Sequence, residues 1–118
     1  MIEFLDTKKE NLIAVEIRGK VSKEDIQKFH PLIQHILNTN EKVEFYIELH
    51  DFKGYDLEGF WEGLKIDSSH ISDYGNMAIV GGKKWHEWAA EATDFFTDSE
   101  VKHFDLEERA SAKKWIGM

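Results

Sequence analysis

Met77-Ala78-Ile79-Val80 is a wholly apolar run closed by Gly81-Gly82. A strand without polar alternation suits the interior of a sheet covered on both faces, which is typical of parallel sheets. Upstream, Val43-Glu44-Phe45-Tyr46-Ile47-Glu48-Leu49 alternates cleanly enough for another strand. Further back, Leu12-Ile13-Ala14-Val15-Glu16-Ile17-Arg18 and Ile2-Glu3-Phe4-Leu5 read as two more. The polar Thr7-Lys8-Lys9-Glu10-Asn11 between them predicts an antiparallel hairpin. Downstream, Glu100-Val101-Lys102-His103-Phe104 is a last strand, nearer an edge.

Helical spacing fills the gaps. Ser22-Lys23-Glu24-Asp25 carries a capping signature, and Ile26, Phe29, Ile33, Ile36 and Leu37 follow at the period of a helix. Pro31 lies inside that helix and predicts a kink, because it removes one hydrogen bond. Asp56 is placed to cap a second helix with Leu57, Phe60, Trp61, Leu64 and Ile71 on one face. Gly59 and Gly63 weaken it, each by about 1 kcal/mol relative to Ala. After Gly81-Gly82, Trp85, Trp88, Ala89, Ala92, Phe95 and Phe96 repeat on one side of a third helix. Asp105-Leu106-Glu107-Glu108 caps a fourth, with Ala110, Ala112, Trp115 and Ile116 available for burial. Strands alternating with helices after a hairpin imply an α/β fold with right-handed crossovers. The expected sheet is mixed, five-stranded and mostly parallel, with an N-terminal antiparallel strand and four helices. Residues 1–118 read as a single domain.

At 118 residues with 42% hydrophobic and 32% charged side chains, the chain suits a folded domain able to bury a real core. There is no cysteine, which excludes disulfides, thiol nucleophiles and thiolate metal sites. The formal charge of −8 argues against nucleic acid as a partner, because that binding depends on neutralising phosphates with Lys and Arg. The acidic opening Met1-Ile2-Glu3-Phe4-Leu5-Asp6 is unlike a signal peptide, and no stretch approaches the roughly 18 apolar residues of a membrane span. A cytoplasmic address is expected. Any peripheral membrane association would be driven by apolar burial.

The order of elements and its landmarks resemble the SpoIIAA-like family of small bacterial proteins, which share the fold of STAS domains. The landmarks are Gly19 before the first helix, His30-Pro31 within it, and Asp51-Phe52 with Gly54 after the third strand. Trp61, Ala78-Ile79-Val80-Gly81 with Lys84-Trp85, Phe104, and Ala110 through Trp115-Ile116 complete the set. The resemblance covers nearly the whole chain. It implies a binding module: STAS relatives often act as phosphorylation-controlled partners, using a serine at the start of the helix after the third strand. Here that helix begins at Asp56-Leu57-Glu58-Gly59, and Asp67-Ser68-Ser69 falls about three turns too late at 1.5 Å per residue. The phospho-switch therefore does not carry over. The fold also resembles that of CRAL-TRIO carriers of lipophilic molecules, an analogy at the level of fold alone.

Three of the four tryptophans fall in Leu57–Leu64 and Trp85–Phe96. Each such ring buries on the order of 150–250 Å² when packed. Those faces either complete an ordinary core or line a pocket or sticky surface. Lys83-Lys84 after Gly81-Gly82 sits where an anion can meet a helix start, but the spacing is not that of a P-loop, and a turn with solvated lysines is the plainer reading. Six histidines raise the question of metal, yet no His-x-x-x-His or Asp-x-Asp loop exists, and His30 and His35 are split across a helix. His50-Asp51, at a strand carboxyl end, is the best pair for general-base chemistry. Adjacent residues of an extended chain nevertheless point to opposite sides, so loop hydrogen bonding suits them better.

The sequence therefore predicts a non-enzymatic, STAS-like module without metal or cofactor. It is expected to bind a nonpolar small molecule, or to dock on membrane lipid, through its second and third helices. Phe60, Trp61, Leu64, Trp85, Trp88, Phe95 and Phe96 form the predicted lining, with Gly59 and Gly63 as hinges. The alternative is a protein–protein adaptor or homodimer using the same patch. A hydrolase acting at a lipid interface through His50 and Asp51 ranks third.

Overall fold

The computed structural model describes residues 2–19, 23–50, 74–81 and 100–118. Five strands form one sheet: β1 (Ile2–Leu5), β2 (Leu12–Arg18), β3 (Val43–His50), β4 (Tyr74–Val80) and β5 (Val101–Phe104), lying side by side in chain order. β1 runs antiparallel to β2, and every other neighbouring pair is parallel. The expected hairpin and mixed sheet are both present. Helix α1 (Lys23–Gln27) and helix α2 (Phe29–Leu37) lie between β2 and β3, and α3 (Arg109–Ile116) follows β5.

Strand alternation sorts the side chains into two cores. Ile13, Val15 and Ile17 of β2, Phe45, Ile47 and Leu49 of β3, and Met77 and Ile79 of β4 all turn to one face. There they bury against Phe29, Ile33 and Ile36 of α2. Phe4, Phe29 and Phe45 make a chain of tilted ring contacts from the sheet edge inward, with centroids 5.5 and 6.5 Å apart. The opposite face carries Leu12, Ala14, Tyr46, Ala78, Val80 and Phe104 beneath Ala112 and Ile116 of α3. Tyr46 is paired in register with Ala14 on one side and Ala78 on the other, and it is fully buried. Two small neighbours make room for its ring.

Two of the four expected helical regions fall within the described residues, the first and the last. The second and third, 57–71 and 85–96, lie outside them, as does the Ser22 cap. The first helix differs from expectation in form. Instead of kinking at Pro31, it breaks at Lys28 into α1 and α2, which places Pro31 in the first turn of α2. A continuous helix would press the pyrrolidine ring against the carbonyl of Gln27, four residues earlier; after the break its missing N–H costs nothing, because first-turn amides have no acceptor within the helix. The last helix starts as read: the Asp105 amide donates to Glu108 Oε1 at 3.0 Å, closing a capping box around a short 3₁₀ turn. β4 begins earlier than its apolar run suggests, at Tyr74-Gly75-Asn76. Gly75 is required there, because a Cβ would stand 2.8 Å from Glu44 Cγ.

At the amino-terminal end of the sheet, the Lys9 ammonium contacts the Glu44 carboxylate and donates to the Ile116 carbonyl at 2.8 Å. One cation thus ties the hairpin turn, β3 and the end of α3. Gly81, at φ +83, closes β4, where a Cβ would meet the Leu49 carbonyl oxygen at 2.7 Å. Its amide donates to the Phe104 carbonyl. Among the described residues no helix is long and apolar enough to cross a membrane.

The two-core arrangement predicts unequal costs of truncation. Ile47→Ala, at a fully buried position, should lower unfolding free energy by about 2–5 kcal/mol. Leu32→Ala, at an exposed position on α2, should stay within about 0.5 kcal/mol. Urea denaturation of both variants checks the contrast.

Candidate functional site

Two glutamates sit between apolar strand neighbours near the carboxyl ends of β2 and β3: Glu16 between Val15 and Ile17, and Glu48 between Ile47 and Leu49. Parallel pairing sets Glu16 opposite Glu48 and Arg18 opposite His50. All four residues occupy even positions, the set that faces α3. Glu48 is 2% exposed and is the buried charged residue in the described core.

A buried carboxylate is tolerated only when donors surround it. The Tyr46 hydroxyl donates to Glu48 Oε1 at 2.7 Å. His50 Nε2 lies 2.6 Å from Glu48 Oε2 and 3.4 Å from Glu16 Oε1. Arg109, at the start of α3, places a guanidinium nitrogen 3.7 Å from Glu48 Oε2. Arg18 stands 3.6 Å from Glu16 Oε1. The arrangement is a compact polar network set into an apolar sheet.

Its protonation follows from which carboxyl is better supplied with donors. Burial is the largest influence on Glu48 and opposes its ionisation. Hydrogen bonds from Glu16, Tyr46 and His50 outweigh it and hold the group down to about 2. Glu16 is pushed above the ordinary carboxyl value, first by its hydrogen bond to Glu48, then by burial and by the charge of Glu48. Arg18 and His50 pull it partly back. Of the pair, Glu16 therefore holds its proton to higher pH than Glu48, since Tyr46 and Arg109 both serve Glu48. Burial, and then the bond to Glu48, raise the Tyr46 phenol well above its usual range, which keeps it a donor.

The oxygens of Glu16 and Glu48 and a ring nitrogen of His50 lie within 4.8 Å of one another. This imidazole–carboxylate set is of the kind that suits zinc, manganese or iron. His50 was read from sequence beside Asp51, which lies outside the described residues; the partners the structure gives it are Glu48, two positions back on the same face, and Glu16 across the ladder. Lys83, Lys84 and all nine predicted site residues, Gly59, Phe60, Trp61, Gly63, Leu64, Trp85, Trp88, Phe95 and Phe96, also lie outside the described residues. The signal for the polar network was present as Tyr46-x-Glu48-x-His50 at strand period, with a matching glutamate in β2.

The fold and this geometry can be set beside known proteins. The SpoIIAA-like family model matches residues 12–117. The chain belongs to the SpoIIAA-like family. A solved structure agrees: an uncharacterised protein of the DUF3478 family with a SpoIIAA-like fold, from Shewanella loihica PV-4, is 25% identical with a TM-score of 0.68. The match covers 98% of this chain and 92% of that one. No curated protein matches the chain significantly. For this family member, the membership accounts for the sheet and α3 that frame the polar network.

Two outcomes test the network. Tyr46→Phe removes a hydrogen bond to a charged acceptor and should cost about 1.5–3 kcal/mol at neutral pH, measured by chemical denaturation. Glu16 has a folded value raised above its unfolded one, so its stabilising contribution is complete below the unfolded value and is lost as pH rises through the folded one. Glu16→Gln keeps a donor toward Glu48 but cannot ionise. Relative to this variant, the parent protein should lose stability as pH climbs from about 4.3 upward. Parallel pH profiles for the two proteins would contradict the raised value of Glu16.

Proposed function

We propose that this SpoIIAA-like chain is a non-catalytic binding module that accepts an apolar acyl chain, either as a free small molecule or within a lipid surface. Phe60, Trp61, Leu64, Trp85, Trp88, Phe95 and Phe96 form the lining, and Gly59 and Gly63 allow it to open. The observation that carries this reading is where those segments attach to the sheet. Residues 51–73 follow the carboxyl end of β3, and residues 82–99 follow that of β4, its parallel neighbour. In open α/β sheets, ligands gather outside the carboxyl ends of the strands. The two aromatic-rich stretches of the sequence are therefore the two connections that leave adjacent strands at the edge where a ligand is expected.

The polar network suits a binding module better than a hydrolase. Its hydroxyl, Tyr46, is held protonated and buried against Glu48, so it is a poor nucleophile. His50 is engaged with two carboxylates.

Tryptophan fluorescence tests the reading. Titration with a long-chain fatty acid should shift emission to the blue and saturate, and Trp61→Ala or Trp88→Ala should weaken binding at least several-fold. Anionic and zwitterionic liposomes separate the two sources: co-sedimentation without response to free fatty acid assigns the surface to membranes. If neither probe is bound and light scattering shows a stable dimer, the acyl-chain reading fails and the adaptor reading replaces it.

A further inference from the structure

We propose that Glu16, Glu48 and His50 form a divalent-cation site, selective for zinc over magnesium, on the α3-facing side of the sheet. The proposal is independent of the acyl-chain reading. It rests on the convergence of three ligand atoms and on how their neighbours orient them.

The first support is the backbone. Glu16 pairs with Glu48, and Arg18 with His50, in one uninterrupted parallel ladder. Strand pairing rather than a loop sets the spacing of the ligands, which is the rigidity a metal site needs. The second is spacing. Ligand atoms bonded to a cation at about 2.1 Å in a tetrahedral shell stand about 3.4 Å apart. His50 Nε2 and Glu16 Oε1 are 3.4 Å apart, and His50 Nε2 and Glu48 Oε2 are 2.6 Å apart. Widening the shorter separation by less than about 1 Å completes the shell.

The third support is orientation. Tyr46 engages Oε1 of Glu48, while Oε2, the other oxygen, faces the imidazole. Metal-bound carboxylates are commonly aimed by an outer hydrogen bond of this kind. The acid at the other end of the same face shows the difference: Glu44 has the Lys9 ammonium in direct contact, so its charge is already met. At the cluster, the guanidiniums of Arg18 and Arg109 stand 3.6 and 3.7 Å away, and each side chain is more than half exposed. Each reaches the same oxygen that faces the imidazole, Glu16 Oε1 for Arg18 and Glu48 Oε2 for Arg109, and from that distance tempers the negative charge of the carboxylates. His50 Nε2 faces two carboxylate oxygens, and a single N–H donates well to only one of them. A cation serves both.

The donor set decides the metal. An imidazole with two carboxylates suits zinc or manganese, whereas magnesium prefers an oxygen shell and keeps its waters. Three protein ligands leave a fourth tetrahedral position open.

The test uses the full chain stripped with EDTA and titrated calorimetrically with zinc chloride, then with magnesium chloride. One equivalent of zinc should bind and raise the melting temperature, and magnesium should give no saturable heat. Glu16→Gln and His50→Gln should each weaken zinc at least 10-fold, and His35→Gln, at an exposed position on α2, should leave it unchanged. Circular dichroism of each variant establishes that it is folded. Cobalt substitution gives a second readout without any variant: a visible absorption band of tetrahedral intensity supports the site. No zinc binding, or one equivalent that both folded variants retain, would overturn the proposal.

Discussion

The parallel pairing of β2 with β3 is the constraint on which the rest of the structure depends. It runs without a slip from Leu12 opposite Glu44 to Arg18 opposite His50. Because side chains alternate along a strand, that single alignment decides which residues enter which core. It sends Val15 and Ile47 toward α2, and Ala14, Tyr46, Glu16 and Glu48 toward α3. A shift of β2 by one residue against β3 would turn Glu16 to the face of Phe29 and Ile33, among apolar side chains, and part it from Glu48 and His50. The cost of burying an unpaired carboxyl opposes that alternative. The polar network therefore helps to fix the sheet that creates it.

The molecule also separates its polar tasks along the sheet. Near the amino-terminal end of the strands, Lys9 neutralises Glu44 and caps α3, a purely structural duty. Near the carboxyl end, two carboxyls are arranged around an imidazole, with guanidiniums 3.6 and 3.7 Å away. Glu44 and the pair Glu16 and Glu48, on one face of one sheet, thus meet opposite treatments. Only the second treatment leaves coordination capacity, and it lies toward the edge from which the aromatic connections depart.

How much of this was legible depended on whether the physics was local. The five strands were readable because apolar runs and alternation are properties of short windows, and the capping box at Asp105 and Glu108 is a four-residue signal. Tyr74-Gly75-Asn76 was missed as the start of β4 because glycine and asparagine disfavour strands; the reason for Gly75, the Glu44 side chain, comes from 31 residues earlier in the chain. The break at Lys28 was readable in principle from the reach of Pro31 back to Gln27, but the apolar stripe running through it favoured one continuous helix. His50 was weighed against its sequence neighbour Asp51, although in a strand the side chain that shares a face is two positions away. Its second partner, Glu16, required the register between two strands, which no window of sequence contains.

Tyr46 between Ala14 and Ala78 has an evolutionary consequence. The three positions form one peg seated between two holes, and the peg's tip steers the Glu48 carboxylate. Enlarging either alanine displaces the phenol, and shrinking the phenol leaves a void that only a bulkier flank can refill. Descendants of this sequence should therefore exchange residues 14, 46 and 78 as a correlated trio. Lineages that give up the tyrosine should also be released from keeping an acid at position 48.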